Sequence, residues 1–147
     1  MGKNKWEHAN IDFVTRLQAL VIRSFTAGNY LESGIMAFQL TEVALRIVIE
    51  GFARGSGINE KVIKEISNEE RSVSRLITYF DMLIPDNTIS ERLHKLNEMR
   101  NKAMHNLLFK FSSEDHAKKE LKQFCKEAIT LNVELLSLLN INDSATE

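Results

Sequence analysis

Apolar residues recur at three- and four-residue spacing along nearly all of this sequence, and little interrupts them: one proline, Pro85, and six glycines in 147 residues. Such spacing gathers apolar side chains on one face of a helix, and the scarcity of breakers calls for long helices. From about Ile11 to Ala27 the stripe is Phe13, Val14, Leu17, Leu20, Val21 and Phe25, stopped by Gly28-Asn29. A second helix is expected over about Tyr30 to Ala53, with Leu31, Ile35, Phe38, Leu45, Ile49 and Phe52 on its apolar face and Gly55-Ser56-Gly57 after it. A short helix fits Asn59 to Ile66, and a further one carries Val73, Leu76, Ile77, Phe80 and Ile84 up to Pro85-Asp86-Asn87.

Thr88-Ile89-Ser90-Glu91 reads as a capping box, with a hydroxyl for the first orphan amides and a carboxylate three residues on. The helix it opens extends to about Phe109. Ser112-Ser113 caps the last one, where Leu121, Phe124, Ala128, Leu131, Leu135 and Leu138 form a seam suited to packing along a neighbour. No strand alternation, repeat or low-complexity stretch competes. The expected fold is all-α, an antiparallel helical bundle of four long helices plus a short helix, in one domain over residues 1–147 with frayed ends at 1–9 and 140–147.

Composition narrows the functional classes. A chain with 44% hydrophobic and 27% charged residues has the makings of a packed core, and a net charge of −1 does not suit nucleic-acid binding through bulk charge. The charge is uneven, however: from Arg92 to Lys110 there are Arg92, Lys95, Arg100, Lys102 and Lys110 against Glu98, five minus one, a local +4. The single cysteine, Cys125, allows no intrachain disulfide and fits a buried small hydrophobe. No apolar run approaches the ~18 residues of a membrane span. The N-terminus lacks a secretory apolar core, and Gly2 lacks the hydroxyl residue of a myristoylation pattern, so a cytoplasmic protein without membrane contact is expected.

Two charges fall where apolar residues belong. At about 100° per residue, Arg100 lies within the stripe Leu93, Leu96, Ala103 and Leu107, and Glu42 lies among Leu31, Ile35, Phe38, Leu45 and Ile49. A buried charge needs a partner, so Glu42 and Arg100 are expected to face each other across the bundle. The competing arrangement pairs Glu42 with Arg46 one turn along and lets Arg100 reach outward on its long stem. Beside the same stripe, His94, Glu98, Asn101 and His105 line up at spacings of four, three and four, as a working surface or as an ordinary solvated face. Arg100 and His105 point about 140° apart on an ideal helix, so a bent arginine or a second subunit would be needed to bring both to one reacting group. Asn101, one turn before His105, can fix the imidazole, and the set suits a histidine that moves a proton beside a guanidinium that holds a phosphate.

Leu96-Asn97-Glu98-Met99-Arg100-Asn101-Lys102-Ala103-Met104-His105-Asn106 resembles the signature of HEPN domains: an Arg, then a polar residue such as Asn, and four to six residues in all before a His. Those domains are helical bundles of about this size with a polar or acidic residue on a long early helix, a position that Phe38-Gln39-Leu40-Thr41-Glu42-Val43-Ala44-Leu45-Arg46 fits. The likeness runs from roughly Ile11 to Leu139, and its specific part is the Arg-to-His segment. It implies a metal-independent endoribonuclease, without a cofactor, acting as a homodimer whose two motif helices form one composite cleft. His105 would be the general acid/base for attack by the ribose 2′-hydroxyl, Arg100 would stabilise charge on the phosphate, and Asn101 would orient the histidine or the substrate. Glu42 would hold Arg100, and Lys102, His94 and Glu98 are candidate substrate contacts. The 2′-hydroxyl as nucleophile selects RNA over DNA, and the toxin or phage-defence setting makes an antitoxin protein a candidate partner. Three other readings compete. One is a catalytically inactive HEPN-like binding or regulatory module, and another is a helical interaction protein using the Leu121 to Leu138 seam. The third is a metal site from His94, Glu98 and His105, which lacks a third partner off that helix.

Overall fold

The computed structural model describes residues 2–69, 72–85, 88–106 and 114–145, without the side chains of residues 2–11, 13, 66–69, 105–106, 114 and 140–145. Six helices make up the fold: α1 (Gly2–Thr26), α2 (Tyr30–Gly55), α3 (Glu60–Glu69), α4 (Val73–Leu83), α5 (Ile89–Asn106) and α6 (Glu114–Ala145). No strand occurs among the described residues, and the chain is all-α. Four of the helices are long, and α3 and α4 are both short. Of the stretches expected to fray, residues 2–9 belong to α1 and residues 140–145 to α6. Neither extension contains a proline, and adding residues to an existing helix carries no further nucleation cost. The Ser112-Ser113 cap, the stretch from Leu107 to Lys110 and the Asp86-Asn87 stop lie outside the described residues.

The breakers act where the sequence places them. Gly28, at φ +84°, ends α1: the Asn29 amide donates to the Ser24 carbonyl at 2.9 Å and the Gly28 amide to Phe25 at 3.0 Å. Gly57, at φ +79°, ends α2 in the same way, with Ile58 donating to Ala53 at 3.0 Å and Gly57 to Arg54 at 3.1 Å. This paired closure consumes carbonyls that the helix end would otherwise leave bare, and its left-handed residue favours glycine.

At the centre, α2 lies against α6 through small side chains. Ser33, Gly34, Ala37, Thr41 and Ala44 on α2 are buried, as are Cys125 and Ala128 on α6. The Thr41 hydroxyl sits 2.9 Å from both the Ala37 and the Ala128 carbonyls, so its one proton bridges the two helices. Ser33 Oγ donates to the Val21 carbonyl of α1 at 2.9 Å and lies 3.0 Å from Cys125 Sγ, which ties three helices at one point.

These contacts also fix direction. Gly34 meets Phe124, Thr41 meets Ala128 and Gly51 meets Leu139, so residue numbers rise together and α2 runs parallel to α6. By contrast, α5 runs antiparallel to α6, since Arg92 pairs with Glu134 while Arg100 sits over Phe38, itself beside Phe124. The helices pack as the expected all-α bundle, with one parallel pair, α2 and α6, at its centre. Thus α2 and α6 run the same way, with α5 opposed to both.

Two consequences can be measured. A Cβ on Gly34 would lie 2.9 Å from Phe124 Cδ1, whereas one on Gly55 would meet nothing within 4 Å. Gly34→Ala should therefore lower stability by about 1–3 kcal/mol, despite its better helix propensity. Gly55→Ala should be neutral or stabilising by up to ~1 kcal/mol, and thermal unfolding followed by circular dichroism separates the two. The second concerns Cys125, whose burial pushes its thiol above the ordinary 9.0, with the Ser33 contact opposing more weakly. The unfolded thiol ionises first, so its contribution to stability is complete below about pH 9 and falls as pH rises toward the folded value. Wild type should therefore lose stability relative to Cys125→Ala between pH 9 and 11 in urea titrations, and a constant gap would contradict this.

Candidate functional site

α5 presents its apolar face to the bundle, with Leu93, Leu96 and Ala103 buried, and Arg100 falls in that row. Its side chain is half-buried. The guanidinium carbon stands 4.7 Å from the centroid of the Phe38 ring on α2, and Nη2 donates to Asn97 Oδ1, one turn back on α5, at 3.2 Å. Asn97 in turn donates from Nδ2 to Ser74 Oγ of α4 at 3.4 Å. That second bond orients the amide so that its oxygen faces the arginine. Arg100 Nε is enclosed and has no hydrogen-bond partner among the described residues.

Glu42 does not hold Arg100. Its Oε1 takes a bond from Arg46 Nη2 at 3.3 Å, the i,i+4 pair within α2, and no carboxylate among the described residues forms an ion pair with Arg100. The physical reason is axial height. Phe38 and Glu42 share one face of α2 but sit one turn apart, about 6 Å along the axis, and α5 brings Arg100 to the level of Phe38. An aromatic face compensates a cation without the desolvation cost of a buried carboxylate.

The flanking row is solvent-facing. His94, Glu98, Asn101 and Lys102 are all exposed on α5. His105 belongs to the last turn of α5, and its side chain lies outside the described residues. The local positive charge is smaller than the sequence count. Arg92 forms an ion pair with Glu134 of α6 and Lys110 is outside the described residues, so Lys95, Arg100 and Lys102 remain beside Glu98. Apolar side chains are exposed around the same region. Leu31 and Ile35, about two turns and one turn before Phe38 on its α2 face, keep 38% and 37% of their surface, and Met104 keeps 55%.

Phe38 and Asn97 are the site residues that sequence reasoning missed. By its spacing Phe38 reads as an ordinary core residue of the α2 stripe. Asn97 carried a usable signal, since it lies three residues before Arg100, where helix neighbours meet.

Among the described residues, no group of three or more His, Cys, Asp or Glu is placed to hold a metal ion, and no helix is long and apolar enough to cross a membrane. A groove of about 120 Å³ lies elsewhere, between α1, α2 and α6. Gln18 there donates to Asn132 Oδ1 at 2.6 Å, and Asn132 Nδ2 is buried without a partner among the described residues. No α5 residue lines this groove, so it is separate from the Arg100 site. Compared with known proteins, the chain matches no family model, no curated protein and no solved structure.

Proposed function

We propose that this protein is a metal-independent endoribonuclease of the HEPN toxin or defence type, cytoplasmic and active as a homodimer. The observation that carries the reading is Arg100. A guanidinium in a core row, held against an aromatic face with no carboxylate partner among the described residues, keeps a charge available for an anion. Its enclosed, unpaired Nε is a cost of about 1–3 kcal/mol that packing alone does not explain. Asn101 and Lys102 stand exposed in the next turn positions, and the exposed Leu31, Ile35 and Met104 offer an apolar border for a second subunit.

In the proposed reaction, His105 takes the proton of a ribose 2′-hydroxyl as its oxygen attacks the adjacent phosphorus. The bond from phosphorus to the 5′-oxygen breaks, that oxygen is protonated by the imidazolium of the site, and a 2′,3′-cyclic phosphate and a 5′-hydroxyl result. Arg100 stabilises the extra charge on the non-bridging oxygens, and Asn101 orients the imidazole or the substrate. Because Arg100 and His105 diverge on one helix, the cleft is completed by α5 of a second copy. DNA lacks the nucleophile and is not cleaved. An antitoxin that covers this surface would hold the activity in check.

The purified protein should degrade RNA in the presence of a chelator, and Arg100→Ala and His105→Ala should each lower the rate by roughly a hundredfold or more. Its mass in solution should be that of a dimer. Intact RNA, or cleavage equal in wild type and both variants, would overturn the enzyme and leave a catalytically inactive HEPN-like binding module as the account to pursue.

A further inference from the structure

We infer that Phe38 and Asn97 are positioning residues, which lock the Arg100 guanidinium with one edge turned into the bundle and leave its outer nitrogen for a phosphate oxygen. The inference rests on the ribonuclease reading only for the identity of the anion. A free arginine side chain samples many rotamers, and ordering it during binding costs conformational entropy. Here the Phe38 ring and the Asn97 amide restrict those rotamers before any ligand arrives.

The geometry is specific about which edge is used up. Nε and Nη2 form the side-on edge of a guanidinium, the one suited to a forked grip on a carboxylate or phosphate. Nε is enclosed, and Nη2 donates to Asn97 Oδ1 at 3.2 Å. Phe38, 4.7 Å away at the ring centroid, blocks one face. Nη1 remains as the nitrogen that is neither enclosed nor bonded among the described residues. An anion therefore meets Arg100 end-on, at Nη1 and the outer proton of Nη2.

Each clamp residue is itself fixed from another helix. Asn97 is oriented by Ser74 of α4, and Phe38, 6% exposed, lies 6.1 Å from the Phe124 ring of α6. Three elements thus converge on one guanidinium, an arrangement that a solvent-facing arginine does not need. Neither residue touches the reacting atoms, so both act through Arg100.

The test follows the Arg100 Nε–H resonance in the full chain by NMR, assigned by its loss in Arg100→Lys, with inorganic phosphate as the probe. In wild type the proton should exchange slowly with water, carry a ring-current shift, and move on addition of phosphate. Phe38→Leu should remove the ring shift, Asn97→Ala should speed exchange, and each should weaken phosphate binding roughly two- to thirtyfold. Phe38→Tyr, which keeps an aromatic face, should bind phosphate as wild type does, a rescue that a purely space-filling role would not produce. Should Phe38→Leu fail to fold, Asn97→Ala, at a half-buried position, carries the test. Fast exchange in wild type, or equal phosphate binding in wild type and Asn97→Ala, overturns the positioning roles. A slow, ring-shifted Arg100 that ignores phosphate overturns the assignment to phosphate and removes support from the ribonuclease reading. Phosphate binding that follows the clamp without RNA cleavage supports this inference while that reading falls.

Discussion

The close approach of α2 to α6 is the contact on which the remaining geometry depends. Gly34 leaves room for the edge of Phe124, and Ser33, Ala37, Thr41, Cys125 and Ala128 keep the helices near enough for a threonine hydroxyl to reach across to the opposite backbone. Phe124, seated over Gly34, lies beside Phe38. Phe38 then offers its face to Arg100. A missing Cβ in the middle of the bundle is in this way connected, through two aromatic rings, to the orientation of a single cation at its edge. Enlarging Gly34 would displace Phe124 first and the platform beneath Arg100 next.

Arg100 itself shows how a bundle can carry a charge in an apolar row. A buried ion pair must offset the desolvation of two charges, whereas an aromatic ring and one amide oxygen ask for the desolvation of one. The compromise is incomplete, because Nε stays enclosed without a partner among the described residues while the outer nitrogen is left available. Stability alone would favour a leucine here, in line with Leu93, Leu96 and Ala103. The ribonuclease proposal gives this arginine an anion to serve, the phosphate of RNA.

Much of the fold was legible because breakers and periodicity are local signals. Gly28 and Gly57 end their helices through left-handed residues, and Leu45, Leu96 and Leu131 are buried as their spacing requires, whereas Leu20, Leu31 and Ile35 of the expected stripes are exposed. Periodicity gives the face of a helix but neither its direction nor its height against a neighbour. For that reason the parallel packing of α2 on α6 was not readable, and the partner of Arg100 was misassigned by one turn, from Phe38 to Glu42. The oddity of Arg100 was visible from its own row. What compensates it was not, because a phenylalanine in an apolar stripe looks the same whether it packs against leucine or carries a cation.

A pair of double-mutant cycles on unfolding free energy addresses that assignment most directly. One cycle combines Phe38→Leu with Arg100→Met, and the other combines Glu42→Gln with Arg100→Met. Contact between Phe38 and Arg100 predicts a coupling of roughly 0.5–2 kcal/mol in the first cycle and close to none in the second. Coupling confined to the Glu42 cycle would contradict the account.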